Sequence, residues 1–312
     1  MKPPSNNKNN NGLPTYIYVV GGVPIVLIGF VYYKYLDEAP LTHRQRWIAT
    51  TPAWERQLGD DEYQKLLTQF KGNILPTDHR ASVTVHRVGK RIADAAHVFA
   101  TQHNFTYDTS NTTYTVVRSD MANAFVLPNN HVFVMTGLFQ YIQNEDDLAA
   151  VLGHEMAHNL ARHVGEKVSS SLVMSVVARL SLLVDPSGVL LTLFLPASNL
   201  LRELPHARTQ ESEADHIGIH LAAEACYDPR AAKRVFQAMM QEQALGQQHP
   251  PEFLSTHPSH ESRIVQFDQW LPEAMKTFRR ETGECQRLRL QMQEARQMAA
   301  LQQQDSRESK QQ

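Results

Sequence analysis

His154, Glu155 and His158 fall in the pattern His-Glu-x-x-His. On a helix, residues four apart lie on one face, one turn above the other, so two neutral imidazoles at this spacing can share one tetrahedral zinc ion. Glu155, next to the first histidine, projects beside such a metal rather than onto it. There it can take a proton from water as the general base of a metallopeptidase. The chain has 15 His, so a chance match is a real risk, and the alternative is a surface helix whose two histidines are satisfied in other ways. The flanking residues favour a buried helix. Asn144 is a good N-cap, and Glu145, Asp146 and Asp147 fill the first turn, where the helix dipole favours acids. Leu148, Val151 and Leu152 then supply an apolar stripe leading into the motif.

Zinc needs a third protein ligand. The metzincin solution requires glycine at position 161 and histidine at position 164. This chain has Ala161 and Val164, which exclude that class and leave His163 one residue out of register. The other solution is a glutamate on a second helix, and Glu211 is far enough along for a hairpin to intervene. Asp215 sits one turn after Glu211 on the same face, where it can accept the free ring N–H of a ligating histidine and fix its tautomer. Glu213 is equally available as an acid, but it has no such partner and lies on another helix face. It is expected to contribute little.

Three segments together carry a resemblance: His154-Glu155-Met156-Ala157-His158, then Arg208 to Asp215, then His257-Pro258 followed by Arg263. They resemble the zinc metallopeptidase family of the CAAX-prenyl protease and the bacterial heat-shock protease HtpX. Within it, they are most similar to the mitochondrial inner-membrane stress peptidases of the Oma type. The resemblance spans about residues 30 to 275 and includes the segment after the apolar stretch, Leu36 to Arg46. It implies one zinc per subunit on His154, His158 and Glu211, with His257 and Arg263 bordering the site, where either could donate to an oxyanion. It also implies that Asn123-Ala124-Phe125 is an edge that pairs with extended substrate, although a purely structural edge strand fits the residues equally well. Further implications are quality-control cleavage of inner-membrane proteins under stress, including an inner-membrane fusion dynamin, a domain facing the intermembrane space, contact with membrane lipid, and homo-oligomers. The chain departs from the family pattern at Ala207, where serine is usual, and at Asn129-Asn130, where glycine is usual.

The elements that must position these residues can be read outward from the motif. Three hundred and twelve residues allow one or two domains, and a net charge of −2 gives no nucleic-acid signal. Residues 1–15 are polar and Asn-rich and read as disordered, and they make a poor transit peptide because they lack arginine. Residues 16–33 carry no charge, and at ~1.5 Å per residue they extend about 27 Å, enough for a bilayer core. Tyr16, Tyr18, Tyr32 and Tyr33 mark both ends, and no cleavage site follows, so an uncleaved membrane anchor is expected. Residues 34–275 form the metallopeptidase domain, and 276–312 a polar, helical to disordered tail.

Within the domain, Trp54 to Phe99 reads as two helices around a turn at Leu75-Pro76-Thr77-Asp78, with Val85, Val88, Ile92 and Ala96 as a core stripe. Phe105-Thr106-Tyr107 and Tyr114 to Val117 are strand-like, and Asn123 to Thr136 reads as a hairpin turning at Asn129-Asn130. Leu172 to Leu195 is apolar but broken at Asp185-Pro186-Ser187-Gly188, so it is either a core hairpin or one that dips into a membrane. Asp228-Pro229 starts a helix packed through Ala232, Val235, Phe236 and Met239. Arg263 begins another, packed through Ile264, Phe267 and Trp270, while His206 and His260 read as surface groups. Cys226 and Cys285 make neither a disulfide framework nor a thiolate zinc site. They are bridged if the domain faces an oxidising space and are otherwise unrelated thiols. The fold expected is mainly α with a small β-hairpin or sheet, a zincin-like domain behind an N-terminal transmembrane helix. Its rivals are a bacterial-envelope protease of the same chemistry and a membrane-tethered zinc scaffold or chaperone, for which an intact Glu155 would have no use.

Overall fold

The helix that carries the motif, α4 (Glu145–Leu160), is the axis of the molecule, and most of its residues are buried. The structure, a computed structural model, describes residues 23–188, 208–244, 252–257, 261–280, 285–288 and 290–291. The 1–15 tail, residues 16–22 of the expected anchor, the far arm of the 172–195 hairpin, His206, Ala207, His260 and the end of the C-terminal tail lie outside the described residues. The remainder of the anchor forms α1 (Val23–Lys34), with Val26, Leu27, Ile28 and Phe30 exposed. No helix among the described residues is long and apolar enough to cross a membrane.

A two-stranded antiparallel hairpin follows, β1 (Leu36–Glu38) and β2 (Gln45–Trp47). Its loop needs left-handed backbone at Leu41 (φ 67) and His43 (φ 56). Neither residue is a usual choice there, so the hairpin has no turn signal in the sequence. Helix α2 (Pro52–Gln69) starts from Thr51, whose side chain accepts the Trp54 N–H, with proline in its first turn. Helix α3 (Arg80–Gln102) buries Val85, Val88, Ile92 and Ala96 completely and packs on α4 and on the sheet. That sheet runs in the order β3 (Thr113–Val117), β5 (His131–Met135), β4 (Ala124–Val126), with β3 parallel and β4 antiparallel to the central β5. Asn130, at φ 67, supplies the turn between β4 and β5.

Phe105 to Tyr107, expected as a strand, has no ladder partner and is not one. Side-chain contacts hold this stretch instead: the Tyr107 hydroxyl donates to Asn130 Oδ1 at 2.7 Å, and Phe105 packs against the core. Helix α5 (His163–Val184) contains the first arm of the expected 172–195 hairpin and leaves Leu172, Val176, Leu180 and Leu183 exposed. Helix α6 (residues 208–224) is followed by α7 (Arg230–Ala244), the short α8 (Glu252–Thr256) and α9 (Glu261–Phe278). Ala232, Val235, Phe236, Met239 and Phe267 all join the core. Cys226 and Cys285 are joined in a disulfide that ties the chain after α9 back to the end of α6.

Helices α4 and α6 cross with their backbones almost touching. A Cβ on Gly153 would sit 2.9 Å from Gly218 O, and a Cβ on Gly218 would sit 3.0 Å from His154 Cα. Only glycine at both positions permits that approach, and the approach brings the acids of α6 within reach of the histidines of α4.

Candidate metal centre

Local sequence explains where α4 starts and where it stops. Asn144 accepts the Asp147 N–H, and three acids occupy the first turn. The helix ends at Ala161, and Arg162 turns the chain through φ 54, so α5 starts at once in a new direction. The motif side chains are therefore fixed by a capped, buried helix rather than by a loop.

His154, His158, Glu211 and His257 each direct a donor atom into one space, with the four atoms all within 4.8 Å of one another. His154 Nε2 and His158 Nε2 are 3.2 Å apart. Glu211 places Oε2 3.4 Å from His154 Nε2 and Oε1 3.4 Å from His158 Nε2. Tetrahedral zinc with bonds of about 2.0–2.2 Å requires donor–donor edges of about 3.3–3.6 Å. The two imidazole nitrogens and the Glu211 carboxylate, one oxygen toward each ring, are spaced close to what that ion needs. Glu211 Oε2 is buried and makes no hydrogen bond, although His154 Nε2 and Arg263 Nη1 lie within ion-pair distance, so it keeps lone pairs that a cation would satisfy. Nitrogen and carboxylate donors together suit zinc, so the residues fit the ion.

The surrounding residues hold these donors. His154 Nδ1 lies 3.0 Å from Asp215 Oδ1, which leaves Nε2 for a metal. Arg263 fixes Asp215 through two bonds, Nε to Oδ2 at 2.6 Å and Nη2 to Oδ1 at 2.8 Å, and its guanidinium lies over the Phe236 ring. Arg263 is thus 3% exposed and aimed at Asp215, with Nη1 also 3.3 Å from Glu211 Oε2. Burial works against the His154 cation, but Asp215 and Glu211 outweigh it and hold the ring up at about 9. Burial pushes His158 down to about 3, against the pull of Glu211. Burial also disfavours the Glu211 anion, but the surrounding histidines overcome it and hold the carboxyl far below its usual range. The centre is rich in carboxylate and suited to a cation.

Glu155 is 2% exposed, and its Oε1 has no hydrogen-bond partner. Burial raises its carboxyl above the usual range, the direction a general base needs. The backbone of Val126, on β4, hydrogen-bonds to this carboxylate. His257 Nε2 lies 3.3 Å from Glu155 Oε1, while its Nδ1 lies 3.1 Å from Glu211 Oε1. His257 therefore bridges the base and the metal donors.

Among the described residues β4 is an edge strand, since it pairs only with β5. The Met135 N–H donates to Asn123 O and the Leu127 N–H to His131 O, so alternation turns the main chain of Ala124 and Val126 away from β5. The strand covers Ala124 and Phe125 of the expected edge, with Asn123 just before it, and Val126 lies against Glu155.

Two residues set aside on sequence grounds belong to the site. Glu213 is 2% exposed rather than solvated, and Arg44 and Thr42 of the β1–β2 hairpin bond to it. The sequence placed Glu213 on another helix face and could not show that the hairpin covers that face. His163, out of register as a ligand, sits edge-on behind one instead, with its Nδ1 2.8 Å from His158 Nδ1. No sequence spacing announces either contact.

The sequence pattern of peptidase family M48 matches residues 80–271. The mitochondrial metalloendopeptidase OMA1 of Schizosaccharomyces pombe is 36% identical, over 82% of this chain and 72% of its own length. Its Saccharomyces cerevisiae namesake is 32% identical, over 81% of this chain and 74% of its own. The human metalloendopeptidase OMA1 is 32% identical, over 78% of this chain and 48% of its own.

Proposed function

The chain belongs to peptidase family M48 and is a zinc metalloendopeptidase, and we propose that it cleaves proteins in or at the mitochondrial inner membrane as part of quality control under stress. The carrying observation is the cluster of donors from His154, His158 and Glu211 beside a buried Glu155 whose Oε1 makes no hydrogen bond. Zinc held there supplies Lewis-acid polarisation of the scissile carbonyl and acidifies water.

The residues of the chain do the rest. Glu155 takes a proton from the attacking water and returns it to the leaving amine, aided by a carboxyl already raised by burial. An extended substrate adds to the sheet along Ala124 and the Val126 carbonyl, while the Val126 N–H stays on Glu155, which sets the substrate main chain beside that carboxylate. Asn123 lines the same edge, and its Oδ1 is buried without a partner. Phe125 stacks on Phe133 at 5.2 Å between ring centroids and stiffens the strand. His257 reaches both carboxylates and is placed to donate to the carbonyl oxygen as charge develops on it. Arg263 acts on the reaction through Asp215 rather than by touching substrate.

Mitochondrial residence follows from the mitochondrial relatives, and the inner membrane, the intermembrane-space orientation, processing of a fusion dynamin, lipid contact and homo-oligomers follow the resemblance. Residues 16–33 would be the single-pass anchor. Carbonate extraction should leave the protein in the membrane pellet, and full-length protein in the soluble fraction would end the anchor reading. The function itself is tested by Glu155→Gln, which removes the base and no ligand. Zinc content should be unchanged and peptide cleavage should drop about 10²–10⁴-fold. Cleavage at the wild-type rate would sink the peptidase mechanism and favour a scaffold.

A further inference from the structure

The two histidines of the motif are oriented in different ways. His154 rests directly on a carboxylate, Asp215, at 3.0 Å. His158 rests on another histidine: its Nδ1 lies 2.8 Å from His163 Nδ1. His163 Nε2 in turn lies 3.2 Å from Glu213 Oε2. Glu213 is gripped from the far side, by Arg44 through Nε at 2.8 Å and Nη2 at 2.9 Å, and by the Thr42 hydroxyl at 2.7 Å. Arg44 also forks onto Glu166 at 2.7 and 2.8 Å, so a buried acid on each side fixes its plane.

The proton positions follow from the donor inventory. An ionised carboxylate only accepts, so His163 donates from Nε2. A neutral His163 then carries a lone pair on Nδ1 and accepts there, so His158 donates from Nδ1. His158 is left with its lone pair on Nε2, the atom that faces His154 and Glu211. Reversing the direction of the chain would put a proton on His158 Nε2 and block that atom as a ligand.

We propose that Glu213, acting through His163, is the positioning residue that sets the tautomer of His158, and that Thr42 and Arg44 lock Glu213 in that role. The β1–β2 hairpin, which directly follows α1, is therefore a working part of the metal centre rather than a spacer. This rests on His158 being a zinc ligand, and it adds a residue path that the motif does not contain.

The test uses the full chain and reads zinc affinity by competition with a chelator, beside the melting temperature of the metal-free protein. Arg44 donates to both Glu213 oxygens, so in Glu213→Gln the amide –NH2 meets a donor either way: with the oxygen kept by Thr42 and Arg44 Nε it faces Arg44 Nη2 and His163, and with the amide flipped it breaks the Thr42 and Arg44 Nε grip, so the fixed acceptor for His163 is lost. Zinc affinity should fall about 10–100-fold, the scale for groups that orient a metal ligand. In a His163→Phe background the same Glu213→Gln change should cost no further zinc affinity, because its route is gone. Arg44→Lys keeps the charge but loses the fork, and it should give a smaller drop that also vanishes in the His163→Phe background. This milder variant carries the test if Glu213→Gln fails to fold. His158→Asn is the reference and should lose zinc outright. If it does so while Glu213→Gln and Arg44→Lys bind zinc like wild type, the metal centre stands and the relay is overturned. An equal loss of affinity from Glu213→Gln with and without His163 would overturn it as well, since that pattern marks a general structural effect. If His158→Asn keeps zinc, the ligand assignment fails and takes the relay with it.

Discussion

Replacing Gly218 with alanine tests whether the helix crossing builds the metal centre. Two effects of known size oppose each other. Alanine inside a helix is favoured over glycine by about 0.8–1 kcal/mol. The new Cβ would lie 3.0 Å from both Cα and N of His154, whereas relaxed carbon contacts begin at about 3.5 Å. Both crowded atoms are backbone, so no side chain can swing aside, and α6 must retreat from α4 by roughly half an ångström. Crowding of this kind costs about 1–3 kcal/mol. The net expectation is a loss of about 0–2 kcal/mol, a melting temperature lower by up to about 4–8 °C for a domain of this size. Metal binding should suffer more than stability. Separations of 3.2 to 3.4 Å set two imidazole nitrogens and the two Glu211 oxygens around one space, and Glu211 would be carried off with α6. A half-ångström shift exceeds the roughly 0.2 Å tolerance of metal–ligand distances. Calorimetry of the metal-free protein and chelator competition for zinc measure the two effects separately. A Gly218→Ala protein that melts higher than wild type and binds zinc unchanged would refute the crossing argument. Gly153→Ala, with its Cβ 2.9 Å from Gly218 O, should behave alike.

The ligand and its support should separate by phenotype: Glu211→Gln removes a charged donor and should lose zinc, while Asp215→Asn leaves every donor in place and should weaken zinc or activity about 10–100-fold. Metal analysis and peptide cleavage on both proteins check this, and zinc retained in Glu211→Gln would mean that Glu211 is not a ligand. Cys226→Ser should destabilise the oxidised protein by about 4 kcal/mol, the chain-entropy value for a loop of this length, whose cysteines are 59 residues apart. Denaturant melts with and without reductant measure it, and identical midpoints for wild type under both conditions would show that the bridge does not form.

The sequence alone determined the parts whose physics is local. A capped, acid-led, apolar helix carrying two histidines one turn apart can be read from residues 144 to 158, because helix periodicity puts those side chains on one face whatever surrounds them. The same holds for Glu211 and Asp215 at i and i+4, and for the β4–β5 hairpin, whose two asparagines tolerate the φ 67 of Asn130. Tertiary structure decided what depends on which surfaces meet. Helical spacing showed Glu213 on a face of its own, but nothing local could show that a hairpin more than a hundred residues earlier would cover that face and send Arg44 into it. Spacing likewise ruled out His163 as a ligand, yet the left-handed turn at Arg162 folds it behind His158 as a partner. Phe105 to Tyr107 had the composition of a strand but found no neighbour to pair with, since pairing is a property of two segments and not of one. The fit to zinc was also a tertiary outcome. Residues 53 positions apart in the chain, His158 and Glu211, come within 3.4 Å because two glycines let their helices touch.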